Sequence, residues 1–425
     1  MRFPKVLIIS NGCFNKSDSN GRTIMNFFVG YPKDKIAQFY LHGEPDFNVC
    51  KNYYQVSDMD ALVAFRSFGK FTKDGLVKQK GQDAKSTVKS KKHAKTCLNR
   101  VLRDIVWRSY RWWNTHFDKF LKDFNPEVVL VQAGDSPFML HITRKIAKKY
   151  NIPIVMYNSE NYVLKKRMYS FVKNGDIWYT ILKNRLKKEY RKLMKNVSYC
   201  IYNTEYLEDC YQKAYSHKGK SIALYTITEM MDCSSNQVPD IFTLLYCGNL
   251  GVGRSETLNE MAKVLKEVDD NARLVICGKF PSESLEKLVC GNLNVDYKGF
   301  VNYDEVPNII SKSTMVVHCE NPERLEDLKG AFSTKIADCL ACGKPFLVYA
   351  LKEYPFVKYL ERNNAAHIAE NVEEFKDIIA SCINSVEFRN KFIKNSLKLA
   401  KERHNCYKTT EEMLKILQKV TKKGN

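Results

Sequence analysis

Gly330-Ala-Phe-Ser-Thr-Lys-Ile-Ala-Asp-Cys-Leu-Ala-Cys-Gly-Lys-Pro-Phe-Leu-Val-Tyr349 is the stretch that decides the fold. Gly330 permits a tight turn. Ser333 and Thr334 are N-cap residue types, which predicts a helix from about Lys335 with Ile336, Ala337 and Leu340 on its apolar face. Gly343 stops that helix, Pro345 forbids its continuation, and residues 346–349 read as a buried strand. A helix start presents free backbone N–H groups, and Lys335 adds a cation beside them, so the place suits a phosphate. Asp338, one turn further, is placed to accept from sugar hydroxyls. The plainer alternative is an ordinary helix–Gly–Pro–strand link.

The same logic extends upstream. Residues 242–247 read as a strand opening a second α/β domain, and Gly248-Asn-Leu-Gly-Val-Gly-Arg254 is the loop that follows. Its glycines let the backbone approach a ligand, and the planar N–H fork of Arg254 matches phosphate oxygens. Residues 273–277 form a strand ending at Gly278. Residues 295–301 read as a strand and a Gly turn, and 315–319 as a strand with His318 near its end. A lone histidine there is more often structural than catalytic. The chain from about Val372 onward reads as helical.

These motifs resemble the donor half of GT-B glycosyltransferases, family 4 above all. The resemblance is carried, in the family's order, by Gly248-Asn-Leu with Arg254, by Gly278, by Gly299 with Val301, by Ser333-Thr-Lys335 and by Asp338-Cys-Leu-Ala-Cys-Gly-Lys-Pro345. It implies an α/β fold of two Rossmann-like doubly wound domains facing across a cleft, with a nucleotide-sugar as substrate, no bound cofactor, no metal, and retention of configuration. It casts Arg254 and Lys335 as the catalytic cations that offset the leaving diphosphate. Gly248, Gly278, Val301, Ser333, Thr334 and Asp338 become donor-binding residues. The chain departs from the pattern eight residues before Asp338, where Gly330 replaces the usual Glu, with Glu326 and Asp327 nearby. The one Asp-x-Asp, Asp58-Met-Asp60, reads as a surface pair.

The first half repeats strand–helix units, as a doubly wound sheet requires. Residues 5–10 and 36–41 read as strands. Between them lies a polar loop, 11–23, with Thr23 placed to cap a helix from Ile24; the GT-B resemblance implies that this loop faces the cleft, with Gly12 and Gly21 on the donor side and Arg22 on the acceptor side. This loop does not fit Gly-x-Gly-x-x-Gly, which argues against a dinucleotide site. A long basic helix is predicted from about Lys91 to Phe124, then strands at 127–132, 152–157 and 197–202. Asn158-Ser-Glu-Asn-Tyr162 lies at a strand's carboxyl end, where open α/β sheets place ligands. The GT-B resemblance implies that this is the acceptor side, where the family often has a His; here Asn158 becomes an acceptor-side residue and Glu160 the carboxylate to bind the acceptor hydroxyl or take its proton, the alternative being a surface Glu in a loop. The expected division is a first domain at 1–220, a linker at 221–239, a donor domain at 240–400 and a last helix at 401–425 that crosses back to the first domain.

Composition fits such an enzyme. With 425 residues, 44% hydrophobic and 12% aromatic, the chain can bury two sizeable cores. Apolar runs fall short of the roughly 18–20 residues that span a bilayer, and the N-terminus reads as a strand rather than a signal peptide. The fourteen cysteines show neither disulfide-like nor zinc-like spacing, and Cys339-x-x-Cys342 stands alone, so a reducing cytoplasm is expected. The formal charge of +21 comes from two segments: 70–123 carries +10 and 145–195 carries +11. Cations interleaved with aromatics suit an anionic membrane surface, and hence a peripheral position at the inner face. The expected partners are a nucleotide-sugar, a glycan or polyprenyl-linked acceptor of cell-surface polysaccharide synthesis, and that membrane, with no nucleic acid. The rival readings are a nonenzymatic nucleic-acid-binding protein, solvated helix faces without a partner, and a GT-B nucleotide-sugar epimerase.

Overall fold

Fully buried aliphatic runs set the architecture. Val6-Leu-Ile-Ile9, Val128-Val-Leu-Val131 and Phe346-Leu-Val-Tyr349 are buried along their length, as strands covered on both faces must be. The computed structural model describes residues 2–15, 19–68, 70–79, 96–166, 168, 172, 175–215, 219–233 and 239–422. It divides the chain into two units, Met1–Tyr225 with Tyr407–Asn425, and Thr226–Cys406.

The first unit holds eight strands: β1 (Val6–Ile9), β2 (Ile36–Tyr40), β3 (Asn52–Gln55), β4 (Leu76–Val77), β5 (Val128–Ala133), β6 (Ile154–Asn158), β7 (Val197–Tyr202) and β8 (Lys220–Ala223). Their order is β4-β3-β2-β1-β5-β6-β7-β8, parallel except for β4 against β3. The last helix, Cys406–Lys422, joins this unit. Its Thr410 hydroxyl donates to the Asn26 carbonyl at 3.4 Å, and its Gln418 amide to the Arg2 carbonyl at 2.6 Å.

The second unit holds β9 (Thr243–Cys247), β10 (Arg273–Cys277), β11 (Val295–Gly299), β12 (Met315–Cys319), β13 (Phe346–Tyr349) and β14 (His367–Ala369). Its order is β11-β10-β9-β12-β13-β14, all parallel. The reversal of direction falls between β9 and β12, so their carboxyl ends mark the place where such a sheet takes a ligand.

Three expectations need correction. The predicted 91–124 helix is two helices, Cys97–Arg108 and Thr115–Phe124, while residues 91–95 lie outside the described residues. Tyr110 turns the chain at φ 57°, Trp112 drops into the core, and Asn114 caps the second helix by accepting from the Phe117 N–H at 3.1 Å. The helix expected from Ile24 begins at Ser19, so Thr23 lies inside it. Residues 221–223, read as the start of the linker, belong to the edge strand Lys220–Ala223 beside β7, and residues 234–238 of the expected linker lie outside the described residues. Asp58 and Asp60 open the Asp58–Arg66 helix. Asp60 closes a capping box with Ser57, and Asp58 accepts from Arg103 and Trp107 at 2.7 and 2.8 Å.

Candidate active site

In the second unit the organising helix spans Thr334–Ala341, with Ser333 immediately before it. The Ser333 side chain makes no capping bond, contrary to the cap role read from its residue type. The N–H groups of the first turn are thus not met by that hydroxyl. Gly343, at φ 73°, ends the helix where a Cβ would meet the Asp232 carboxylate, and β13 follows.

Lys335 turns toward the end of β9. Its Nζ donates to the Tyr246 hydroxyl and stands 4.3 Å from the centre of that ring. Tyr246 in turn donates to the Asn249 carbonyl at 2.7 Å. The lysine stem lies against Gly248: a Cβ there would come within 2.2 Å of Lys335 Cδ, and Gly248 holds φ 145°. Burial pulls the Lys335 ammonium down to about 8, with Arg254 adding to the fall and Glu320 opposing it. Gly278 closes the same corner at φ 155°, where a Cβ would sit 2.1 Å from the Gly248 carbonyl oxygen. The Gly278 N–H donates to the Gly299 carbonyl at 2.8 Å. Val301 follows that turn, half-buried.

Arg254 begins the Arg254–Val268 helix and is buried. Its Nε and Nη2 donate to Glu320 Oε2 and Oε1 at 2.9 and 2.6 Å, a two-pronged ion pair. Glu320 directly follows β12, and His318 Nε2 lies 3.1 Å from its Oε1. Burial alone would raise Glu320, but His318 and Arg254 hold it at about 2. Burial also lowers His318 to about 4, so it is neutral at pH 7. Two of the guanidinium's N–H edges are therefore committed to a carboxylate, and the Arg254 charge is largely offset. Lys335 differs, because its partner is a phenol.

Asp338 accepts at one oxygen from the Thr228 hydroxyl and from Tyr303, the latter at 2.9 Å. Sequence reasoning missed Tyr246, Glu320, Thr228 and Tyr303. The position of Glu320, one residue past a strand's carboxyl end, was a usable signal; Thr228, far away in sequence, gave none.

The remaining predicted residues lie in the first unit. Gly12 bridges to His42 and accepts from Ser10 Oγ at 2.7 Å. Gly21 is needed sterically, because a Cβ there would meet the Cys13 carbonyl oxygen at 2.4 Å. Arg22 is on the Ser19–Met25 helix. Asn158 ends β6, buried, and accepts from the Tyr190 hydroxyl at 2.9 Å. Glu160 pairs with Lys165. Of the sequence candidates, Lys335, Gly248, Gly278 and Arg254 are brought to one corner of the second unit. Among the described residues, no group of three or more His, Cys, Asp or Glu is placed to hold a metal, and no helix is long and apolar enough to cross a membrane.

Residues 254–415 match the family described as glycosyl transferase-like. The chain resembles the structure of Anabaena HepE in complex with UDP, at 11% identity over 98% of this chain and 100% of that one, TM-score 0.64. It also resembles sucrose-phosphate synthase from Thermosynechococcus elongatus, at 11% identity over 99% of each, TM-score 0.63. A third relative in structure is S. aureus TarM, at 14% identity over 68% of this chain and TM-score 0.50; the match spans about half of TarM, 54%. No curated protein is significantly similar in sequence. The fold is that of GT-B glycosyltransferases, and most of the second unit carries a glycosyl transferase-like sequence.

Proposed function

We propose that this chain transfers a glycosyl group from a nucleotide-sugar to a glycan or polyprenyl-linked acceptor in cell-surface polysaccharide synthesis, with retention of configuration and without a metal ion. The observation that carries the reading is Lys335, an ammonium held at the start of the Thr334–Ala341 helix, against the Gly248 backbone, within the transferase-like sequence. A helix start and a cation together attract a diphosphate. As the bond from the sugar's C1 to the diphosphate breaks, negative charge grows on the leaving phosphate, and a fixed cation there lowers the barrier. Arg254, anchored by Glu320, contributes a positioned charge behind Lys335. Asp338, Ser333, Thr334, Gly278 and Val301 border the nucleoside and sugar. Gly12, Gly21 and Arg22, which follow β1 in the first unit, are that unit's candidates for contact with donor or acceptor. Asn158 orients the acceptor loop, and Glu160 takes the acceptor hydroxyl's proton.

Because HepE was solved with UDP and with UDP-glucose, a uridine diphosphate sugar is the first donor to test. The lipid-side part of the reading rests on the charge of segments 70–123 and 145–195, whose residues 80–95, 167, 169–171 and 173–174 lie outside the described ones. All fourteen cysteines are free, as a protein of a reducing compartment would keep them. The test is transfer from a panel of uridine, guanosine and other nucleotide-sugars to polyprenyl-phosphate-linked and soluble glycans, with product mass as readout. A product heavier by one sugar supports the reading. An isomerised free nucleotide-sugar without acceptor would instead indicate an epimerase. Salt-sensitive retention on nucleic acid with no response to any nucleotide-sugar would indicate the nonenzymatic alternative.

A further inference from the structure

The Cys97–Arg108 helix carries apolar residues on two faces. Cys97, Val101 and Trp107 turn inward. Leu98, Leu102 and Ile105, at i, i+4 and i+7, turn outward and are 36%, 49% and 43% exposed. Helical spacing puts these three in a band roughly 60° wide, one continuous aliphatic stripe.

The Ile177–Met194 helix lies alongside. Arg185 Nε is 3.0 Å from Asp104 Oδ2, and Arg108 Nη2 is 3.5 Å from Glu189 Oε1. The starts of the two helices adjoin, since the Asp176 carboxylate neighbours the Cys97 thiol. There Ile177 and Trp178 are 66% and 41% exposed, so the stripe ends in a second apolar group with an indole. Ile177 shares its helix face with the exposed Lys188 and Arg191, at i+11 and i+14.

Charge completes the surface. The Cys97–Arg108, Pro137–Tyr150 and Ile177–Met194 helices carry thirteen Lys and Arg against two acids, a net +11. Both acids, Asp104 and Glu189, are buried and spent on Arg185, Arg108, Arg144 and Lys192. Three of the cations pair with acids from elsewhere: Arg100 with Asp135, Arg103 with Asp58 and Lys149 with Asp118.

We propose that the outer face of the Cys97–Arg108 and Ile177–Met194 helices docks on an anionic lipid bilayer. The Leu98–Leu102–Ile105 stripe and Ile177 enter the acyl boundary, Trp178 settles at headgroup depth, and Lys188 and Arg191 meet lipid phosphate. Charge decides the occupant. A second copy of this chain would bring the same basic face and be repelled, and a nucleic acid has no use for an aliphatic stripe. The inference names the surface for the proposed lipid-linked acceptor and rests on that reading for its purpose, so binding and transfer are measured separately.

The full chain is sedimented with vesicles of phosphatidylcholine alone and with added phosphatidylglycerol, at low and high salt. Wild type is expected to bind the anionic vesicles and to weaken by about tenfold or more at high salt or on neutral vesicles. Leu98→Ser with Leu102→Ser and Ile105→Ser should cut binding by about tenfold at a temperature well below a melting midpoint lowered by no more than a few degrees, because the three side chains are only partly covered. Lys188→Ser with Arg191→Ser should lower binding by a similar factor and flatten the salt dependence. Vesicle binding by the stripe variant equal to wild type, or no binding by wild type, overturns the proposal. So does a wild-type dimer that the stripe variant loses, or retention on DNA that outcompetes vesicles. Loss of transfer from a soluble donor to a soluble acceptor in wild type, with vesicle binding intact, would fault the transferase reading and not the docking surface.

Discussion

At the scale of single residues, two cations near one corner have opposite environments. Arg254 is buried in a two-pronged pair with Glu320, and removing one partner strands the other's charge. Arg254→Ala is therefore expected to cost about 3–5 kcal/mol and to lower the melting midpoint by on the order of 10 °C. Calorimetry checks this; an unshifted midpoint would mean the pair is dispensable. Among the described residues Lys335 has no such carboxylate mate, so Lys335→Ala should leave the midpoint nearly unchanged while transfer falls by on the order of 10²–10³. Its pH behaviour follows from its surroundings. The amine is held down to about 8, so it is charged below that pH and neutral above it. Donor KM should rise as pH climbs through about 8, and in Lys335→Arg, always charged, that rise should vanish. Tyr246→Phe keeps the ring but removes the hydroxyl that accepts from Lys335. Losing a bond to the charged form lowers the amine further, so the alkaline limb should move down by roughly one pH unit. A limb that stays put would show that the hydroxyl does not hold the proton.

At the scale of elements, the loops after β9 and β10 are shaped by what they must admit. Gly248 and Gly278 both hold positive φ, yet a Cβ would strike different things. At Gly278 it meets the backbone carbonyl of Gly248, which cannot move alone. At Gly248 it meets the flexible end of Lys335. Gly278→Ala should therefore lose stability, about 1–3 kcal/mol from strain alone. Gly248→Ala should also displace Lys335 and weaken donor binding beyond its loss of stability. Comparing nucleotide Kd with melting midpoint in the two variants separates the effects; equal losses of affinity per unit of stability would contradict the assigned roles. The sequence showed β9, β10, β12 and β13 clearly, because each is a continuous apolar run closed by Gly, Glu or a turn. It hid β3, β4, β8 and β14, each four residues or fewer and so too short to show a strand period. It also hid the break at Tyr110, where a left-handed turn of a bulky residue is compensated by burying the neighbouring Trp112.

At the scale of the whole molecule, the doubly wound order of each sheet follows from repeated strand–helix units, which spacing made legible, whereas the GT-B reading came from the resemblance of the glycine and lysine motifs in the second half. The site was half legible. Motif order located Gly248, Gly278, Arg254 and Lys335, since glycines and cations announce themselves. Their partners were not legible, because Glu320 and Tyr246 reach Arg254 and Lys335 only through the packing of β9 against β12. A ligand that prefers the folded chain stabilises it by about 2.7 kcal/mol at a hundredfold excess over Kd, so a nucleotide-sugar should raise the midpoint by several degrees.

The most direct test of the central claim, that Lys335 and its helix start grip a diphosphate, is titration calorimetry of UDP against wild type and Lys335→Ala at pH 7. Wild type should bind, and Lys335→Ala should bind at least about tenfold more weakly, as expected for a charge-assisted contact of roughly 1.5–3 kcal/mol. Equal affinity for UDP in the two proteins would contradict the account.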